Sequence, residues 1–130
     1  MPRAASARRY AQAVFELALE NRELEKWVDD LTLLSDSVSN QEFLDFLSQP
    51  RVTSEEKIRV VRDALGDLVE PLALNLMSLL ATKNIAHILP GITDRYQELL
   101  DAQQGIELAE AVTAIPLDDD EQRRITEMLS

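Results

Sequence analysis

Apolar residues recur at three-and-four spacing along most of this chain, a periodicity that predicts successive helices. The first spans about Ala5–Asn21, with Tyr10, Ala13, Val14, Leu17 and Ala18 on one stripe and Ala11 and Phe15 beside it. Its apolar surface is wider than one packing contact consumes. A second helix, about Glu23–Val38, carries Leu24, Trp27, Val28, Leu31, Leu34 and Val38 on one side and Glu23, Glu25, Lys26, Asp29, Asp30 and Asp36 on the other. Ser39 with Glu42 reads as a capping box opening a short third helix through Phe43, Leu44, Phe46 and Leu47, and Pro50 bars its continuation. Thr53 with Glu56 opens a fourth through Ile58, Val61 and Leu65, which Gly66 stops.

The fifth helix differs in kind. After Pro71 come Leu72, Ala73, Leu74, Leu76, Met77, Leu79, Leu80 and Ala81, broken only by Asn75 and Ser78. A helix apolar all round is either central or awaiting a partner. Past the Lys83–Asn84 break, a short turn at Ile85–Leu89 leads to Pro90 and a helix reaching Gln104, where Gly105 ends it. Ile106–Ile115 then reads as a strand, rich in Val, Ile, Thr and Ala and closed by Pro116. Asp118 and Glu121 resemble a capping box ahead of a last helix through Ile125, Met128 and Leu129. The fold class expected is therefore all-α. Residues 1–105 form a six-helix bundle, and 106–130 form the strand-plus-helix start of a truncated α+β domain, open to disorder or to folding back.

Composition narrows the function. The chain has 130 residues, 45% of them hydrophobic, and no cysteine, which excludes disulfides, thiolate nucleophiles and cysteine-ligated zinc. Its longest apolar run, Leu72–Ala81, is well short of the roughly 20 residues a membrane span requires, so a soluble chain is expected. Net charge is −11, which disfavours nucleic acid and anionic lipid as partners. Arg3, Arg8 and Arg9 open the chain without an acidic neighbour in the first fifteen residues. That composition suits a transit peptide, but Ala4–Glu20 continues unbroken as an ordinary amphipathic helix.

Chemistry is absent where an enzyme would need it. The three glycines are scattered, so no phosphate-cradling loop is present. His87 is the only histidine, which leaves a histidine metal site or a nucleophilic triad without parts. Asp29–Asp30, Glu55–Glu56 and Asp118–Asp120 read as solvated helix faces or helix starts. The last run, even with Glu121, lacks the glycine and spacing of a calcium loop. Trp27 reads as core packing. No catalytic residue, cofactor, metal or small-molecule ligand is expected.

Three stretches carry a family resemblance. Ala7–Ala18 (ARRYAQAVFELA) resembles the opening helix of F-type ATP synthase delta subunits and of their mitochondrial counterpart, the oligomycin-sensitivity-conferring protein. Asn75–Ala81 (NLMSLLA), leading through Lys83-Asn84 to Ile88-Leu89-Pro90, resembles the family's fifth helix and following turn. Ala109–Leu117 (AEAVTAIPL) is similar to the strand that begins its C-terminal domain. Asn84-Ile85 stands where the family often has Asn-Gly or Asn-Arg.

The resemblance implies a non-catalytic peripheral-stalk subunit of a proton-translocating ATP synthase, on the cytoplasmic face of the bacterial membrane. It implies a groove between the first and fifth helices that takes the N-terminal helix of an alpha subunit. Tyr10, Ala13, Val14 and Leu17 would line one wall, and Leu76, Leu79 and Leu80 the other. The C-terminal domain would bind the b-subunit stalk, and the whole would hold the catalytic head against rotor torque. The wide apolar surfaces of the first and fifth segments suit such a partner helix. The alternative reading is a generic acidic helical adaptor gripping an amphipathic helix of an unrelated complex.

Overall fold

The computed structural model of the chain describes residues 3–114 and 119–129, and every regular element among them is helical. In order these are α1 (Arg3–Asn21), α2 (Leu24–Ser39), α3 (Gln41–Ser48), α4 (Ser54–Leu65), α5 (Pro71–Thr82), a 3-10 turn (Ala86–Ile88), α6 (Leu89–Ala114) and α7 (Asp119–Leu129). They divide into two compact units, Met1–Gln97 and Glu98–Ser130. The boundary expected between residues 105 and 106 falls inside α6.

The first unit holds the core. α1 turns Ala7, Ala11, Val14, Phe15 and Ala18 inward, a row of mostly small side chains that allows close packing. A Cβ added at Gly91, in the first turn of α6, would stand 3.3 Å from the Ala7 Cβ. Eight residues further along α1, Phe15 meets Tyr96 of α6 edge to face, with ring centroids 5.9 Å apart. The Tyr96 hydroxyl donates to the Leu24 carbonyl at 2.6 Å and so joins α6 to the start of α2. Burial, with the Glu25 charge adding, pushes that hydroxyl up, so it remains a donor across the physiological range. On α2, Trp27, Leu31, Leu34 and Val38 are buried at helical spacing, each large aliphatic contributing about 2 kcal/mol by leaving water. α4 pairs with α5, and the buried Lys57 amine of α4 donates to the Asn84 side chain just past the end of α5.

Local caps set the joints. Thr53 accepts a hydrogen bond from the Glu56 amide at 3.2 Å and opens α4, as its spacing predicts. The joint before α3 corrects the expectation for Ser39. That residue is still the last of α2, where its hydroxyl donates to the Asp36 carbonyl. Asn40 is the extended residue, and its Oδ1 accepts from the Phe43 amide at 3.0 Å. One residue thus closes α2 and opens α3. α1 and α5 each end in a Schellman turn. After α1, Glu23 N–H bonds Ala18 O while Arg22 sits at φ 58°; after α5, Ile85 N–H bonds Leu80 O while Asn84 sits at φ 60°.

Beyond Gln104 the chain departs from the sequence reading. Neither a stop at Gly105 nor a strand over Ile106–Ile115 is present: α6 continues through Gly105 to Ala114, and Ile115 lies outside the described residues. A strand satisfies its backbone only against another strand, and no other strand exists among the described residues. A helix satisfies the same N–H and C=O groups within one segment. Gly105 costs such a helix only about 1 kcal/mol relative to alanine. In the second unit, Ile106 and Leu108 of α6 and Met128 and Leu129 of α7 are exposed. The start of α7 at Asp119 is described, whereas Asp118, half of its expected capping box, lies outside the described residues.

Candidate docking surface

Side chains that the core leaves uncovered define the candidate site. On α1 the inward face is centred on Ala11 and Ala18, so residues on its flank turn outward. Ala13 is exposed, Leu17 is 37% exposed and Tyr10 is half-buried, whereas Val14 is only 6% exposed and belongs to the core. α5 divides the same way. Leu80 is fully buried at 0% and Leu76 nearly so at 9%, but Leu79 is 43% exposed. The expected lining residues therefore fall into two groups. Tyr10, Ala13, Leu17 and Leu79 present surface, while Val14, Leu76 and Leu80 hold the helices that carry them.

Leu72 joins the first group at 44% exposure, two turns before Leu79 on the same stripe. Its seven-residue spacing from Leu79 was visible in the sequence. An all-apolar helix, however, offers no polar face to say which leucines point out. Leu68, in the link before α5, is also exposed.

The two helices run antiparallel. Glu23, between α1 and α2, and Trp27, in the first turn of α2, share a cavity of about 180 Å³ with Glu70 and Leu72 at the start of α5. The 3-10 turn that follows α5 packs on α1, and Gly91, just beyond that turn, approaches Ala7 near the start of α1. Both helices also lie against α2. Two exposed apolar stripes thus flank the same elements.

The cavity end is ionic. Lys26 Nζ lies 3.0 Å from Glu70 Oε1, and that hydrogen bond and charge hold the ammonium above its usual range. Asp30 is buried beside them, and its Oδ2 accepts from the Glu70 backbone N–H at 3.3 Å. Burial pushes the Asp30 carboxyl up, the accepted hydrogen bond opposes the rise, and the Glu70 charge adds to it. Asp30 thereby supplies from α2 a cap that α5 lacks from its own residues, since Glu70 makes no side-chain cap bond.

Nothing in this arrangement is equipped for bond chemistry. Among the described residues no three metal-ligating side chains converge, and His87 sits half-buried in the 3-10 turn. Trp27 is core, as its spacing predicts. No helix among the described residues is long and apolar enough to cross a membrane. The surface can bind a complementary apolar face.

Residues 7–130 match the family model described as ATP synthase delta (OSCP) subunit. The ATP synthase subunit delta of Dehalococcoides mccartyi is 35% identical over 126 residues, which cover 97% of this chain and 69% of that protein. The subunit delta of Salinibacter ruber is 38% identical over 114 residues, covering 87% and 60%. The chloroplastic subunit delta of Ochrosphaera neapolitana is 31% identical over 117 residues, covering 89% and 65%.

Proposed function

The chain belongs to the ATP synthase delta (OSCP) subunit family, a non-catalytic component of the peripheral stalk of F-type ATP synthases, and from that premise we propose that its first unit docks the N-terminal helix of an alpha subunit. The observation that carries the proposal is the pair of uncovered apolar stripes. Tyr10, Ala13 and Leu17 form one on α1, and Leu72 and Leu79 the other on α5. Exposed leucines two turns apart on one helix match the anchor spacing of an amphipathic partner helix laid alongside. Val14, Leu76 and Leu80 act from beneath by fixing the two stripes in place.

The task is mechanical. The head must be held through many catalytic cycles, so the interface supplies binding free energy and no bond is broken. A well-packed helix-in-groove contact burying about 1,200–2,000 Å² in total supports stable association. Residues 106–130, on this reading, open the domain that meets the b-subunit stalk, at the cytoplasmic face of the membrane sector.

Calorimetric titration of the chain with a synthetic peptide of the alpha subunit's first 25 or so residues, enough for several helical turns, tests the proposal. One-to-one binding that Leu79→Asp abolishes supports it. Absence of heat with a chain shown to be folded by circular dichroism overturns it.

A further inference from the structure

Lys57 is a buried cation placed against two local rules. It is the fourth residue of α4, near the positive end of that helix, where a basic side chain is disfavoured. It is also only 3% exposed, although lysine is almost never fully buried without a partner. Its ammonium donates to the side-chain carbonyl of Asn84, 27 positions along the chain. A residue kept against local preference marks a place where the tertiary fold demands it. Asn84 stands at a joint. α5 ends at Thr82, and the Schellman turn that closes it holds Asn84 at φ 60° before the 3-10 turn begins at Ala86. That 3-10 turn packs on α1 and α3 as well as on α5. The direction in which the backbone leaves α5 therefore governs how α5 stands to α1. With it goes the spacing of the exposed Leu72 and Leu79 from Tyr10, Ala13 and Leu17. α4 contributes no residue to either stripe, yet through Lys57 it holds this joint.

We infer that Lys57 is a positioning residue for the docking surface: its bond to Asn84 locks the joint after α5 and so fixes the separation of the two apolar stripes. The inference rests on the docking reading and adds to it a residue that lies in neither stripe. A surface held rigid before its partner arrives binds more tightly, because less has to be ordered on association. The two ends of the bond are not equivalent. Asn84 is exposed, so its amide turns to water when Lys57 is replaced. Lys57 is buried, so removal of the Asn84 carbonyl strips a charged donor of this acceptor. Asn84→Gly therefore separates the clamp from the turn. Glycine adopts φ 60° more readily than asparagine, so the turn is kept while the bond is lost. Asn84→Asp keeps an acceptor and tolerates the same backbone.

The alpha-subunit peptide is titrated by calorimetry into the full chain and into its Lys57→Met, Asn84→Gly and Asn84→Asp variants, each shown to be folded by circular dichroism. Lys57→Met and Asn84→Gly are expected to weaken binding about 5- to 10-fold, as changes that act through a neighbouring element do. Asn84→Asp is expected to stay within about twofold of the parent. A second readout needs no peptide. The chain has no cysteine, so cysteines introduced at the exposed Gln12 of α1 and Asn75 of α5 take nitroxides without competition. The distance distribution between the labels, read by electron paramagnetic resonance, is expected to broaden in Lys57→Met and to stay narrow in Asn84→Asp. Unchanged peptide affinity or unchanged label distances in Lys57→Met, whatever its urea midpoint, overturn the inference and leave docking intact. Tighter binding by Asn84→Gly overturns it as well, because the turn and not the clamp then governs the surface. A folded parent chain that binds no peptide overturns docking, and the role of Lys57 with it.

Discussion

At the scale of single residues, the joints of the bundle carry more strain than the core. Arg22 occupies the left-handed region that closes the Schellman turn after α1, where a side chain costs about 1 kcal/mol or more. Arg22→Gly is therefore expected to stabilise the chain by about 0.5–1 kcal/mol in urea denaturation, although glycine also loosens the unfolded chain. Asn84 holds the matching position after α5, and asparagine tolerates it better. Asp30 gives a pH signature. Its carboxyl is raised by burial, so the folded chain keeps the proton at pH values where the unfolded chain has lost it. The contribution to stability is then largest below the ordinary aspartate value of 3.8 and falls as pH rises through the folded value. Asp30→Asn preserves an acceptor for the Glu70 amide without the charge. Its stability relative to the parent should improve between pH 4 and neutrality, measured by denaturation across that range, and a constant difference would contradict the assignment.

The elements themselves were largely legible, because what starts and stops a helix lies within a few residues of its end. Thr53 shows this directly, since its partner Glu56 is three positions away. Ser39 shows the limit of the same reasoning. Two adjacent residues were both competent caps, and α2 kept one of them as its last helical residue. Asn40→Ala is accordingly expected to cost about 1 kcal/mol, while Ser39→Ala, which loses only a surface bond, should stay within about 0.5 kcal/mol. Beyond Gly105, β-branched residues suggested a strand, but a strand has no meaning without a neighbour and helical propensity differences are small. No neighbouring atom lies within 4 Å of a Cβ added at Gly105. Gly105→Ala should therefore strengthen α6, slowing amide exchange over residues 101–112 by about fivefold for 1 kcal/mol of added helix stability.

For the whole molecule, neighbouring leucines on α5 do different work. Leu80 is buried and Leu79 is not, so Leu80→Ala is expected to cost about 2–5 kcal/mol of stability, whereas Leu79→Ala should cost under about 1 kcal/mol while weakening the alpha-subunit peptide. Denaturation and calorimetry on the same two variants separate the roles, and equal effects of both on stability would place Leu79 in the core. Sequence alone determined that the chain is helical over its first hundred residues, where most of its helices start and stop, that it holds no catalytic constellation, and which family it resembles. Those features depend on periodicity, caps and residue types, which are local. Tertiary structure alone decided that Val14, Leu76 and Leu80 face inward while Leu17, Leu72 and Leu79 do not, and that Ile106–Ala114 continues a helix. An apolar stripe announces how much surface seeks cover, but only the placement of neighbouring helices determines which part of it they reach.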